Sequence, residues 1–180
     1  SLEAERSLLG SLLLDNRSFD DVAVIVIEDD FYLPSHREIY KGIAELYNKD
    51  KPCDILTLTD HLTSLTRLEA AGGETYIYEI VNSTPSAANI KAYALIVKER
   101  SILRKILSAS SDITSLAYNT EGKDSRDLLN EVEQKIFNIS DQRDSGNGMR
   151  KIADVLVGAT DKIDKLFHQG DAITGTPTGF

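Results

Sequence analysis

One cysteine, Cys53, is all the chain has among its 180 residues. No internal disulfide can form, which fits a reducing compartment. Cys53 itself reads as a small, half-buried hydrophobe. Positive charge is also short: 20 Lys and Arg stand against 29 Asp and Glu, for a formal charge of −9 and a pI near 4.8. A dedicated nucleic-acid surface needs clustered Lys and Arg to meet phosphates, so any nucleic-acid role is expected to be indirect. Long apolar runs are missing too. Leu12-Leu13-Leu14 and Val22 to Ile27 fall far short of the roughly 18 residues of a membrane helix. Glu3 and Glu5 precede the first leucines, the wrong charge for a secretory signal. A cytoplasmic protein is expected.

Catalytic signatures are equally scarce. A phosphate-binding loop ends in Gly-Lys-Ser/Thr, with a further Gly five positions before that Gly. The Gly122-Lys123 pair has Ala117 at that place and Asp124 after it. His36, His61 and His168 stand singly, and no Glu-x-x-His pair occurs, so neither a zinc site nor a carboxylate di-metal bundle is expected. Each histidine reads as a surface or satisfied structural residue. The pairs Asp20-Asp21 and Asp29-Asp30 diverge by about 100° on a helix and do not share a site. They read as helix-start charges and solubilising groups.

What is present is helical patterning in an all-α chain. Leu8, Leu9, Leu12 and Leu13 predict a helix over 3–14, stopped by Asp15-Asn16. Ser18 is placed as the cap of a second. The β-branched stretch Val22 to Ile27 could pass for a strand, but no alternating partner follows, so a short buried helix is expected. Ile39, Ile43 and Leu46 give a third helix capped by Ser35; Leu58, Leu62 and Leu65 lie on one face of a fourth; Gly72-Gly73 sets off a fifth over 74–81. This makes a small helical head over 1–85.

From Ser86 to about Tyr118 no Gly or Pro interrupts the pattern, a rod of roughly 45–50 Å that must protrude. Leu95, Ile102, Ile106, Ala109, Ile113 and Leu116 are spaced 7, 4, 3, 4 and 3, like a coiled-coil seam. After a polar turn, Leu129, Val132, Ile136 and Ile139 repeat the spacing as 3, 4 and 3. The two stripes predict an antiparallel hairpin over 86–140. Leu103, Leu107, Leu128 and Phe137 are left needing another surface, either a second hairpin or the parent head. Residues 141–150 read as a flexible linker. Over 151–168, Ile152, Val155, Leu156, Ala159, Ile163, Leu166 and Phe167 form one apolar stripe, either a docking helix for another domain or subunit or one more packed helix. The tail 169–180 reads as the approach to a further domain.

Several segments together resemble a known family: Glu3 to Asn16, Asp30-Phe31-Tyr32, His36-Arg37 and Asn82-Ser-Thr-Pro-Ser-Ala-Ala-Asn-Ile90, with Tyr93, Val97 and Arg100 on the long helix. They are similar to the N-terminal domain of bacterial replicative DNA helicases of the DnaB family, and Ile173 to Phe180 resembles the start of that family's RecA-like motor domain. The resemblance implies a collar of paired head-plus-hairpin units, often a trimer of dimers, that recruits primase. It implies that the helix over 151–168 packs on a neighbouring motor domain. ATP, magnesium, a helicase loader and DNA would belong to the intact hexameric ring, with 5′-to-3′ unwinding by the motor and no catalysis by these residues. The competing reading is an independent helical adaptor or loader-type interaction module.

Overall fold

The computed structural model describes residues 1–84, 86–120 and 122–140. The described part is all helical, as expected: α1 (Leu2–Leu14), α2 (Phe19–Ala23), α3 (Pro34–Tyr47), α4 (Ile55–Ser64), α5 (Gly73–Asn82), α6 (Ile90–Tyr118) and α7 (residues 125–140), with short 3-10 turns at Asn16–Ser18, Glu28–Asp30 and Ala87–Asn89.

Helix α1 is the central post, packed against α3, α5 and α6. It buries Leu8, Leu9, Leu12 and Leu13, each removing enough apolar surface to stabilise the head by about 1.5–3 kcal/mol. Gly10 lets α1 approach the end of α5: a Cβ there would sit 2.9 Å from the Ile80 carbonyl oxygen. Ile39 and Ile43 of α3, Leu58 and Leu62 of α4, and Ile77 and Ile80 of α5 complete one core. Phe31 is fully buried in it, its ring 5.0 Å from that of Tyr40, whose hydroxyl donates to the Val26 carbonyl. Cys53 is buried in this core, and burial, with Asp54 beside it, pushes its thiol up to about 12.

Local chemistry explains most boundaries and corrects several expectations. Ser18 occupies the cap position of α2 but makes no side-chain cap bond. Residues 22–27 are not one helix: α2 ends at Ala23, and Val22 and Val26 reach the core while Val24 and Ile27 face solvent. Helix α3 begins at Pro34 rather than after a Ser35 cap. Proline suits the first helical position, where its missing N–H costs nothing. Leu65 follows the end of α4 and is exposed, while Asp54 and Thr57 close a reciprocal cap at its start.

The long helix α6 spans 29 residues, about 44 Å at 1.5 Å per residue. Its first third belongs to the head: Ile90, Ala94, Val97 and Ser101 are buried. The rest runs on to meet α7, tied to it by the Asp112–Lys135 ion pair at 3.5 Å. No described helix is long and apolar enough to cross a membrane.

Candidate docking interface

Two buried carboxylates organise the segment between α2 and α3, where the head meets α6. Glu5, on α1, is almost wholly buried. Its Oε1 accepts from the Tyr32 amide at 2.9 Å and its Oε2 accepts from His36 Nδ1 at 2.6 Å. His36 Nε2 lies 2.7 Å from the Tyr76 hydroxyl, so the chain of polar contacts crosses from α1 through α3 to α5. Burial alone would raise the Glu5 pKa. The hydrogen bonds from His36 and from the Tyr32 amide outweigh it and hold the carboxyl below its ordinary value.

Asp30 is the second. Its carboxylate is fully buried, and Oδ1 accepts from Ser101 Oγ at 2.7 Å while Oδ2 accepts from Lys98 Nζ and from the Ile27 amide, both at 3.0 Å. Lys105 Nζ stands 3.4 Å from Oδ1, and Arg104 donates to the Asp30 carbonyl. Burial pushes this carboxyl upward, but the Ile27 amide, Ser101 and Lys98 bring it below its ordinary value. Both groups are therefore ionised and fully engaged. They hold structure in place and leave no free acid or base for a reaction.

On the surface, apolar side chains gather along the hairpin. Leu103, Ile106 and Leu107 of α6 are exposed, Leu107 by 71%, and so are Leu129, Ile136 and Phe137 of α7, Phe137 by 63%. Leu103 and Leu107 also line a shallow depression with Leu2 and Tyr32, rimmed by Arg100 and Arg104. These six large apolar side chains on the two helices are thus open to solvent.

The hairpin positions named from spacing divide into two sets. Ile102, Ile113, Val132 and Ile139 are half-buried, as a seam requires. Leu95, Ile106, Leu129 and Ile136 are exposed within the single chain, so they do not close a seam between α6 and α7. The half-buried set on α7 is Leu128, Glu131, Val132, Lys135 and Ile139. Lys135 can take a seam position because its ammonium reaches Asp112 of α6, and a long lysine stem can lie along apolar surface while its charge stays in water. The apolar pattern, blind to that lysine, begins one residue late. Ile152, Val155, Leu156, Ile163, Leu166 and Phe167 lie outside the described residues.

Sequence pattern gives no sign of the two carboxylates. Asp30 reads as a solubilising group, yet its partners on α6 sit 68 to 75 positions away. The satisfied structural role expected of lone histidines holds for His36, and for His61, which contacts Glu45 at 2.8 Å in a cluster with Arg67 and Glu38. Among the described residues no group of His, Cys, Asp and Glu could hold a metal ion.

Comparison with known proteins places this architecture. Replicative DNA helicase DnaB of Pasteurella multocida (strain Pm70) is 40% identical over 185 residues, covering 100% of this chain and 39% of that protein. The chain thus spans well under half the length of the curated relatives it matches. The crystal structure of the N-terminal domain of DnaB helicase from Mycobacterium tuberculosis superposes with a TM-score of 0.74 at 32% identity, covering 77% of this chain and 96% of that one. A DnaB-like replicative helicase studied with its interactions with primase shares the fold, with a TM-score of 0.63 at 23% identity over 100% of this chain and 38% of that one. Residues 1–99 match the family described as the DnaB-like helicase N terminal domain, and the chain belongs to that family.

Proposed function

We propose that this chain is the assembly and primase-docking part of a hexameric replicative DNA helicase. The observation that carries the reading is the row of exposed Leu103, Leu107, Leu129, Ile136 and Phe137 along the hairpin, a face that an isolated soluble chain has no reason to keep. Family membership supports a helicase ring as the assembly such a face would serve. A second hairpin covering it gives a two-fold contact, and two-fold pairs can build a ring of higher symmetry. Primase enters because a structural neighbour is described in its interactions with primase.

In this division of labour, residues 1–85 with the start of α6 up to Ser101 form the head, the remainder to 140 the hairpin and 141–150 a linker. Residues 151–168 dock through Ile152, Val155, Leu156, Ile163, Leu166 and Phe167 onto a neighbouring motor domain, which the tail 169–180 approaches. ATP, magnesium, the loader and DNA are assigned in this reading to the intact ring. The setting is cytoplasmic.

The test is the mass in solution by sedimentation over a wide concentration range, with purified primase added. Dimers or hexamers that take up primase support the proposal. A monomer at every concentration that ignores primase overturns it.

A further inference from the structure

The core-facing stripe of α6 changes character along its length. Ile90, Ala94 and Val97 are apolar and buried, spaced 4 and 3; the same stripe continues with Ser101 and Lys105, each 4 further on. The change comes where α6 crosses the Glu28–Asp30 turn, and Ser101 is the last buried residue of the helix. Lys98, Ser101, Arg104 and Lys105 all reach back to Asp30 there. The exit of the hairpin from the head is thus held by directional bonds to one buried aspartate, whose carboxylate is itself fixed by the Ile27 amide.

We propose that Asp30 is a positioning residue that sets the angle at which the hairpin leaves the head, and so the placement of the docking face. Apolar contacts tolerate sliding and rolling, whereas charge-assisted hydrogen bonds from several donors to one carboxylate satisfy one orientation of the helix. The lever is long. From Ser101 to Tyr118 the helix runs about 25 Å, so a tilt of about 10° at the clasp displaces the tip by about 4 Å, far enough to carry an apolar side chain out of reach of its partner across an interface. Just past the turn, the Tyr32 amide is held by Glu5 of α1, which also binds His36 of α3, so the clasp is anchored to the head core and not to a loose loop. That the angle matters for assembly rests on the function proposed above; the angle itself does not.

The experiment measures the distance from head to hairpin tip within one chain. Spin labels are placed at Glu69→Cys and Tyr118→Cys, both exposed positions, in a Cys53→Ala background, with unlabelled chain in excess so that no pair spans two copies. The parent gives a narrow distribution. Asp30→Asn removes the charge at constant size, and Lys98→Met removes one donor and serves if Asp30→Asn does not fold. Either widens the distribution by about 4 Å or more. Ile77→Val, which loosens the core away from the clasp, leaves it narrow. A distribution as narrow as the parent's in both clasp variants overturns the proposal, and so does equal broadening by Ile77→Val. If the parent never self-associates, the docking reading fails while this result stands.

Discussion

The imidazole of His36 and the carboxylate of Glu5 face each other at 2.6 Å with essentially no solvent on either side chain. Their partnership spans 31 positions and staples α1 to α3 inside the head. Removing one member of such a buried pair strands the other. Glu5→Ala is expected to cost about 3–5 kcal/mol, read as a drop in the denaturant midpoint at constant slope. A midpoint within error of the parent would show that the pair is dispensable.

Acid should find the same weak points. The folded pKa values of Glu5 and Asp30 lie below their ordinary values. Their contribution is therefore complete above the unfolded carboxylate pKa and disappears as pH falls below it and through the folded one. Thermal midpoints should fall steeply over that range, and less steeply for Glu5→Gln, which has no proton to gain. Parallel curves for the two proteins would contradict the assignment.

At Gly10 two physical terms oppose each other. Alanine is favoured over glycine in a helix interior by about 1 kcal/mol, yet a Cβ there collides with the Thr84 side chain and crowds the Ile80 carbonyl. The collision involves backbone, so crowding wins, and Gly10→Ala should destabilise by about 1–3 kcal/mol. A higher melting temperature would mean that α1 and α5 can part freely.

Ile106→Asp and Ile136→Asp place charges on exposed hairpin positions. Each should change the stability of the chain by no more than about 0.5 kcal/mol while weakening self-association at least tenfold by sedimentation, about 1.4 kcal/mol. Global unfolding by circular dichroism at unchanged association would place both residues inside the fold instead.

Cys53 offers a check on the core. Its buried thiol, pushed up to about 12, should resist alkylation at pH 8 in the native chain and react at once in denaturant, because the thiolate is the nucleophile. Rapid native reaction would show that the core around Cys53 opens easily.

Helices α1, α3, α5 and α6 are readable in the chain because their leucines and isoleucines recur with the helical period, a local signal. The start of α3 is ambiguous in sequence, since two good candidates, Pro34 and Ser35, stand side by side, and proline at the first turn wins. Leu128 and Leu129 pose the same difficulty on α7: adjacent leucines point about 100° apart, and the deciding residue is a lysine, which an apolar count ignores. The carboxylates at Glu5 and Asp30 have no local sign at all. Each lies in a short acidic stretch typical of a solvated helix start, and its burial depends on partners brought up from 27 to 75 positions away.

One continuous helix serves both parts of the molecule, and this bears on the order in which they form. Starting a helix is costly, while extending one adds a hydrogen bond for each residue fixed. The turns of α6 that carry Ile90, Ala94 and Val97 are nucleated by the core of the head, so the solvated turns beyond Ser101 grow from an existing end. The hairpin thus borrows its nucleus, and amide protection should decline stepwise from Ser101 toward Tyr118 instead of vanishing at one boundary.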